Sequence, residues 1–169
     1  MKLFRHGAAG SERAGALDAL GVMHDLSLLV PDLTPDWLAP EKLRAIAAID
    51  LQKMPVVSEG TRIGAPVGGA RQFIAIGLNY RKHAAESGMA IPKDPIVFNK
   101  AITSIQGPND DLVQPEGSKT MDWRWSWALS SGSKRSASVG KARFRTLPAT
   151  VLPMTCRSAS GNSTAAASG

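Results

Sequence analysis

The chain has one cysteine, few aromatic side chains and no acidic residue after Asp122. Each shortage excludes something. A lone Cys156 rules out an internal disulfide and any zinc site of the Cys-x-x-Cys type, which favours a reducing compartment. Nowhere do about 18 apolar residues run together, and the opening MKLFRHGAAG has no apolar h-region. Neither a membrane span nor a signal peptide is expected, and the expected location is the cytoplasm. The sequon Asn162-Ser163-Thr164 carries little meaning in that setting. Aromatics make up 5% of the chain, and three of the four tryptophans (Trp123, Trp125, Trp127) fall close together.

What is present suffices for a core: 43% of the 169 residues are hydrophobic and 20% charged. Such a length holds one domain, or a small domain and part of a larger one. The net charge of +6 suggests nucleic-acid binding only until it is mapped. Residues 1–122 hold thirteen basic and all fourteen acidic side chains, a net of −1. Residues 123–169 hold seven basic groups and no carboxylate, a net of +7. A near-neutral front is joined to a basic, Ser/Ala-rich back.

Along the front, Lys2–Arg5, Gly15–Leu20 and Val22–Leu26 read as short strands separated by turn residues. PEKLRAIAAID puts Leu43, Ile46, Ala47 and Asp50 at helical spacing, with Pro40 and Glu41 suited to a first turn. The Gly/Pro-rich stretch from Gly60 to Ala70 marks a boundary, so a small N-terminal α/β domain is expected over 1–65. Phe73–Ile76 reads as a buried strand running into Gly77-Leu78-Asn79-Tyr80, where Asn79 suits the N-cap of a helix closed by Gly88. Pro95–Phe98 reads as the next strand, with Lys100 just beyond it. GPNDD is a turn, and Leu112–Gln114 another short strand. The fold class is α+β, with a main sheet only begun. Ser130–Ser138 has neither a helical nor a strand period, and a tail such as ASGNSTAAASG buries too little apolar surface to offset roughly 1–2 kcal/mol of ordering entropy per residue, so 124–169 is expected to be disordered.

The chemistry concentrates in GLNYRKHAAESG. His83 and Glu86 stand three apart, so on a helix they share a face, where a carboxylate orients an imidazole and raises its basicity. That is what a general base needs to activate water. Spacing alone is weak, since His and Glu three apart more often lie on a solvated helix face.

The order of motifs is more specific: an apolar strand, GLNYxxHAAESG, PxxPIVFNK, GPNDD and a Pro-Glu-Gly turn. Together with the opening KLFRHG and the Asp25–Ser27 triplet DLS, it resembles the fumarylacetoacetate hydrolase family, in the bacterial branch with a small N-terminal domain. That branch includes acylpyruvate hydrolases, 2-hydroxyhepta-2,4-diene-1,7-dioate isomerases and ureidoglycolate lyase-like proteins. The resemblance spans about residues 1–123. It implies that 70–123 begin a catalytic domain built as a mixed β-roll, left incomplete here. It implies a Mg²⁺ (or Mn²⁺ or Ca²⁺) enzyme, usually homodimeric, whose partner is a small-molecule oxo acid. The metal there holds a diketo group and stabilises the developing enolate. His83 and Glu86 match the family's water-activating dyad, and Lys100 the lysine near the substrate carboxylate. An ordinary surface lysine at a strand end remains an open alternative for Lys100.

The family continues past an Asp-Trp pair with Glu-x-Glu-Leu, whose glutamates are metal ligands. Here Asp122-Trp123 is followed by Arg124-Trp125-Ser126-Trp127. Codons for Glu-Val-Glu-Leu, GAG GTG GAG CTG, read one base late as AGG TGG AGC TGG, which is Arg-Trp-Ser-Trp. The family's later NDVSEREWQLDRGGQW, back-translated and shifted alike, yields the stretch from Met154 to Gly169. The expectation is a frameshifted, truncated family member lacking its metal carboxylates, binding no metal and inactive. The Trp-x-Trp-x-Trp stretch and the basic tail then arise from an out-of-frame, GC-rich reading, and neither specific nucleic-acid nor membrane binding is expected. Two other readings stand beside it. One is an active hydrolase or lyase, with the shift a sequencing artefact or with carboxylates drawn from Asp110, Asp111, Glu116 and Asp122. The other is an N-terminal domain acting as a binding module.

Overall fold

The computed structural model describes residues 1–114, 116–117, 122–130 and 150–158. It is a mixed α+β structure that divides into two units, one formed by Met1–Gly68 with Gly107–Gly169 and the other by Gly69–Gln106.

In the first unit β1 (Lys2–His6), β2 (Arg13–Leu17) and β3 (Met23–Asp25) form an antiparallel sheet in that order. Gly15–Leu20 does not run on as one strand, because Asp18 stops it. Its Oδ1 accepts hydrogen bonds from the backbone N–H groups of Leu20 (2.8 Å) and Val22 (2.9 Å). An aspartate bonding to the backbone just ahead of it builds a turn in place of a ladder. Gly21, at φ 85°, completes the reversal.

One face of this sheet is covered by the following loop and by α1 (Pro40–Ala47). Proline at the first helical position removes a donor that would have had no partner there. Ile46 enters a core made with Ala14, Ala16, Leu26, Val30 and Leu33, bordered by Trp37, Leu51 and Met54. Burial of each large aliphatic chain is worth about 1.5–3 kcal/mol. Asp50 lies beyond the helix, and its side chain caps the next turn by accepting from the Gln52 N–H at 3.2 Å.

In the second unit β4 (Phe73–Gly77) pairs antiparallel with β5 (Ile96–Lys100), from Phe73 opposite Lys100 to Gly77 opposite Ile96, and α2 (Arg81–Glu86) lies between them in sequence. Phe73–Ile76 is not the buried strand that its composition suggests. Ile74 is 54% exposed and Val97 62%. These two strands pair only with each other among the described residues.

Two further expectations are corrected. Leu112–Gln114 forms no strand; Pro115 follows it and offers no N–H to a ladder. The 124–169 stretch is not without structure: β6 (Asp122–Ser130) pairs antiparallel with β7 (Thr150–Ser158). Alternating Trp123, Trp125 and Trp127, and the β-branched Thr150, Val151 and Thr155, are residue types that favour extended pairing whatever their coding origin. The rest of the expected disordered tail lies outside the described residues. No helix among the described residues is long and apolar enough to cross a membrane.

Candidate functional site

The candidate dyad is carried by the second unit. β4 closes at Gly77, where an added Cβ would lie 3.3 Å from Ile96 Cγ2. Leu78 then takes a positive φ of 48°, a left-handed conformation that costs a leucine about 1–2 kcal/mol. The chain turns sharply from strand to helix at that residue. Asn79 is not the helix cap; Tyr80 occupies that position, with no side-chain hydrogen bond to the first turn.

The far end of α2 is closed by local hydrogen bonds. Gly88 sits at φ 63°, its N–H bonds Ala85 O at 3.1 Å, and the Met89 N–H bonds Ala84 O at 2.9 Å. These two reverse bonds are the Schellman ending, which needs a residue tolerant of positive φ at Gly88. The helix is therefore held to a turn and a half, with Ala84 buried beneath it.

On that short helix His83 is half-buried and Glu86 exposed, one turn apart on one face. His83 Nδ1 lies 3.5 Å from Ser87 Oγ, a neighbour not singled out from the sequence although its four-residue spacing from His83 was visible there. Lys100 lies within β5, as its last residue, and not beyond it. Its ammonium stands 5.9 Å from the centroid of the Phe73 ring, directly across the ladder. Cation and ring at that distance attract.

Of the carboxylates that could have formed a substitute metal site, Asp110 is already engaged. Asp110 is held by Arg62, with Nε to Oδ1 at 2.7 Å and Nη2 to Oδ2 at 2.6 Å, and its Oδ2 also accepts from the Gly107 N–H at 2.7 Å. The Arg62 hydrogen bonds, then the Gly107 N–H, keep its carboxyl below the usual aspartate range. Among the described residues, no group of three or more His, Cys, Asp or Glu side chains comes together to hold a metal ion. By sequence, the positions two and four after Asp122 are Arg124 and Ser126.

A family model and a solved structure both point to fumarylacetoacetate hydrolases, and the similar curated proteins are named as hydrolases. Residues 72–142 match the family model described as fumarylacetoacetate (FAA) hydrolase C-terminal. A candidate hydrolase of Burkholderia cenocepacia (strain HI2424) is 49% identical over 134 residues, covering 79% of this chain and 48% of that protein. One of Burkholderia ambifaria (strain MC40-6) is 52% identical over 123 residues, covering 73% of this chain and 44% of its own length. Among solved structures, the fumarylacetoacetate hydrolase of psychrophilic Exiguobacterium antarcticum superposes with a TM-score of 0.57 at 27% identity, covering 79% of this chain and 47% of that one. A candidate HpcE protein from Mycobacterium smegmatis gives 0.57 at 26%, covering 78% and 46%. The chain spans about half the length of the relatives it matches.

Proposed function

Because the chain belongs to the fumarylacetoacetate hydrolase family, we propose that it derives from a Mg²⁺-dependent enzyme of acylpyruvate-like oxo acids and has lost its reading frame after Trp123. In the parent enzyme, His83 takes a proton from water while Glu86 orients the imidazole and stabilises the imidazolium. Lys100 pairs with the substrate carboxylate. The outcome is hydrolysis of a carbon–carbon bond or isomerisation. A divalent cation, when bound there, would supply Lewis-acid chemistry at the substrate's oxygen atoms.

The residues present here do not fit that ion. The described residues gather no ligand cluster, and residues 123–169 contain no carboxylate at all. A guanidinium at position 124 would repel a cation, and a serine at 126 is a poor ligand for a hard divalent metal. No reaction step is therefore assigned to this chain, which we read as inactive. Its single cysteine suits a reducing, cytoplasmic setting.

The observation that carries this reading is the Arg124–Trp127 tetrapeptide, which is Glu-Val-Glu-Leu read one base late, with the same shift reproducing 154–169. The family match extends to residue 142, past Trp123, through a stretch without the acidic ligands. Sequencing the coding DNA across the Asp122–Arg124 codons tests the reading. An additional G restoring Glu-x-Glu-Leu would make the protein an active enzyme using His83 and Glu86. The sequence as it stands would make it an inactive product.

A second reading, the N-terminal segment 1–65 as a binding module, is favoured by the hydrophobic core which that segment supplies from Ala14, Ala16, Leu26, Val30, Leu33 and Ile46.

A further inference from the structure

Five charged side chains in the first unit form a continuous ladder. Asp32 accepts two hydrogen bonds from Arg5, Nε to Oδ1 at 2.5 Å and Nη2 to Oδ2 at 2.9 Å. Arg5 Nη2 also reaches Glu12 Oε2 at 3.3 Å, and Glu12 Oε1 accepts from Arg62 Nη1 at 2.9 Å. Arg62 then grips Asp110 with the rest of its fork. Arg5 and Glu12 are nearly buried, with side chains 9% and 8% exposed, whereas Arg62 and Asp110 retain 28% and 20%. The ladder runs from a buried centre to a partly solvated end, and that end is the only rung supplied by residues beyond Gly68.

Backbone contacts follow the same order. The Gly7 N–H bonds Arg62 O at 2.9 Å and the Gly64 N–H bonds Arg5 O at 2.8 Å, so 62–64 lies along the end of β1. Gly107 in turn lies against this segment so closely that a Cβ there would collide with Ile63 O. Such an approach requires glycine. Asp110 both closes its own turn, through the Gly107 N–H, and fastens that turn to Arg62.

We infer that Gly107–Asp110 is a strap that completes the N-terminal unit through the Arg62–Asp110 clasp, so that 69–106 is a long excursion between two parts of one folding unit. The unit that folds is 1–68 together with 107–110. A fragment ending in the Gly60–Ala70 connector lacks the outer rung and leaves two donors of the Arg62 fork to water.

The test places a site-specific protease sequence between Gly69 and Ala70 of the full chain. After cleavage the two pieces are followed by native gel filtration and their Kd is measured. They are expected to stay together at neutral pH and low salt. Asp110→Asn keeps the oxygen that accepts from Gly107 but loses the charge, and Arg62→Lys keeps the charge but loses the fork; either should weaken association roughly tenfold or more. Asp111→Asn, next door and exposed, should behave as the unaltered protein. Circular dichroism of each uncut variant confirms that it is folded before cleavage. Pieces that part as soon as the unaltered chain is cut would overturn the inference. So would Asp110→Asn pieces that hold as tightly as the original, or an equal loss in Asp111→Asn.

Discussion

The ring of Phe4 occupies the space in which Gly15 would carry a Cβ: an atom built there falls 2.5 Å from Phe4 Cζ and 3.0 Å from the His24 carbonyl oxygen. The two residues are paired across β1 and β2, and Phe4 is buried. Gly15→Ala must push the ring from its place or spread the strands, and is expected to cost about 1–3 kcal/mol in chemical denaturation. Adding Phe4→Leu to Gly15→Ala should recover part of that loss, a non-additivity that residues in contact display. Strictly additive effects would refute the contact.

The same denaturation assay separates two residues of α1. Ile46 is 1% exposed and sits in the core, so Ile46→Ala should cost about 2–5 kcal/mol. Ala47, one residue on, is exposed, and Ala47→Ser should change stability by less than about 0.5 kcal/mol. Similar losses at both positions would mean that the helix packs by another face.

Acid should loosen the first unit. Burial pushes Glu12 up, but hydrogen bonds from Arg62 and its own backbone N–H, with the charges of Arg5 and Arg62, leave it below its ordinary value. Asp110 is lowered chiefly by Arg62. Asp25 is raised by burial and lowered further by Ser27, His6 and Arg13. Groups whose folded pKa is depressed stabilise fully above their unfolded pKa, about 4, and that contribution drains as pH falls through the folded values. The melting temperature should therefore fall as pH drops below about 4. Glu12→Gln and Asp110→Asn should each flatten that slope. An unchanged slope in both would show that these carboxylates are equally placed in the unfolded chain.

Titration of Mg²⁺ or Mn²⁺ into the chain should give neither calorimetric heat nor a shift in melting, and His83→Ala should leave both unchanged. Restoring the reading frame, so that glutamates occupy 124 and 126, should create saturable Mg²⁺ binding. Binding by the chain as it stands would exclude the proposed loss of function.

The β4–β5 ribbon should make the protein adhesive. Ile74, Ile76, Val97 and Phe98 are each more than a third exposed on two strands that pair only with each other among the described residues. Such a surface invites edge-to-edge association and binding of apolar dyes. Val97→Lys is expected to raise the soluble fraction and lower dye fluorescence, measured by centrifugation and emission. No change in either would place the adhesive surface elsewhere.

Local information in the sequence was enough for the positions and types of most front elements, because turns and helix ends are short-range devices. Gly88 ends α2 through bonds that span five residues or fewer, and Pro40 starts α1. The motif order around His83, Glu86 and Lys100, and the absence of carboxylates after Asp122, are properties of the chain alone and carry the family assignment and the proposed loss of the metal site. Where sequence reading failed, the deciding contact was elsewhere. Phe73–Ile76 is apolar enough for a buried strand, yet burial depends on what packs against it, and Ile74 and Ile76 stay exposed. Asp110 looked like a turn residue and is one, but its second role depends on Arg62, 48 positions away. The Arg5–Ala65 bond spans 60. Long-range pairings of this kind leave no periodic trace, because each is one residue meeting another when the chain closes. The sequence determines which groups can pair, and only the tertiary structure decides which ones do.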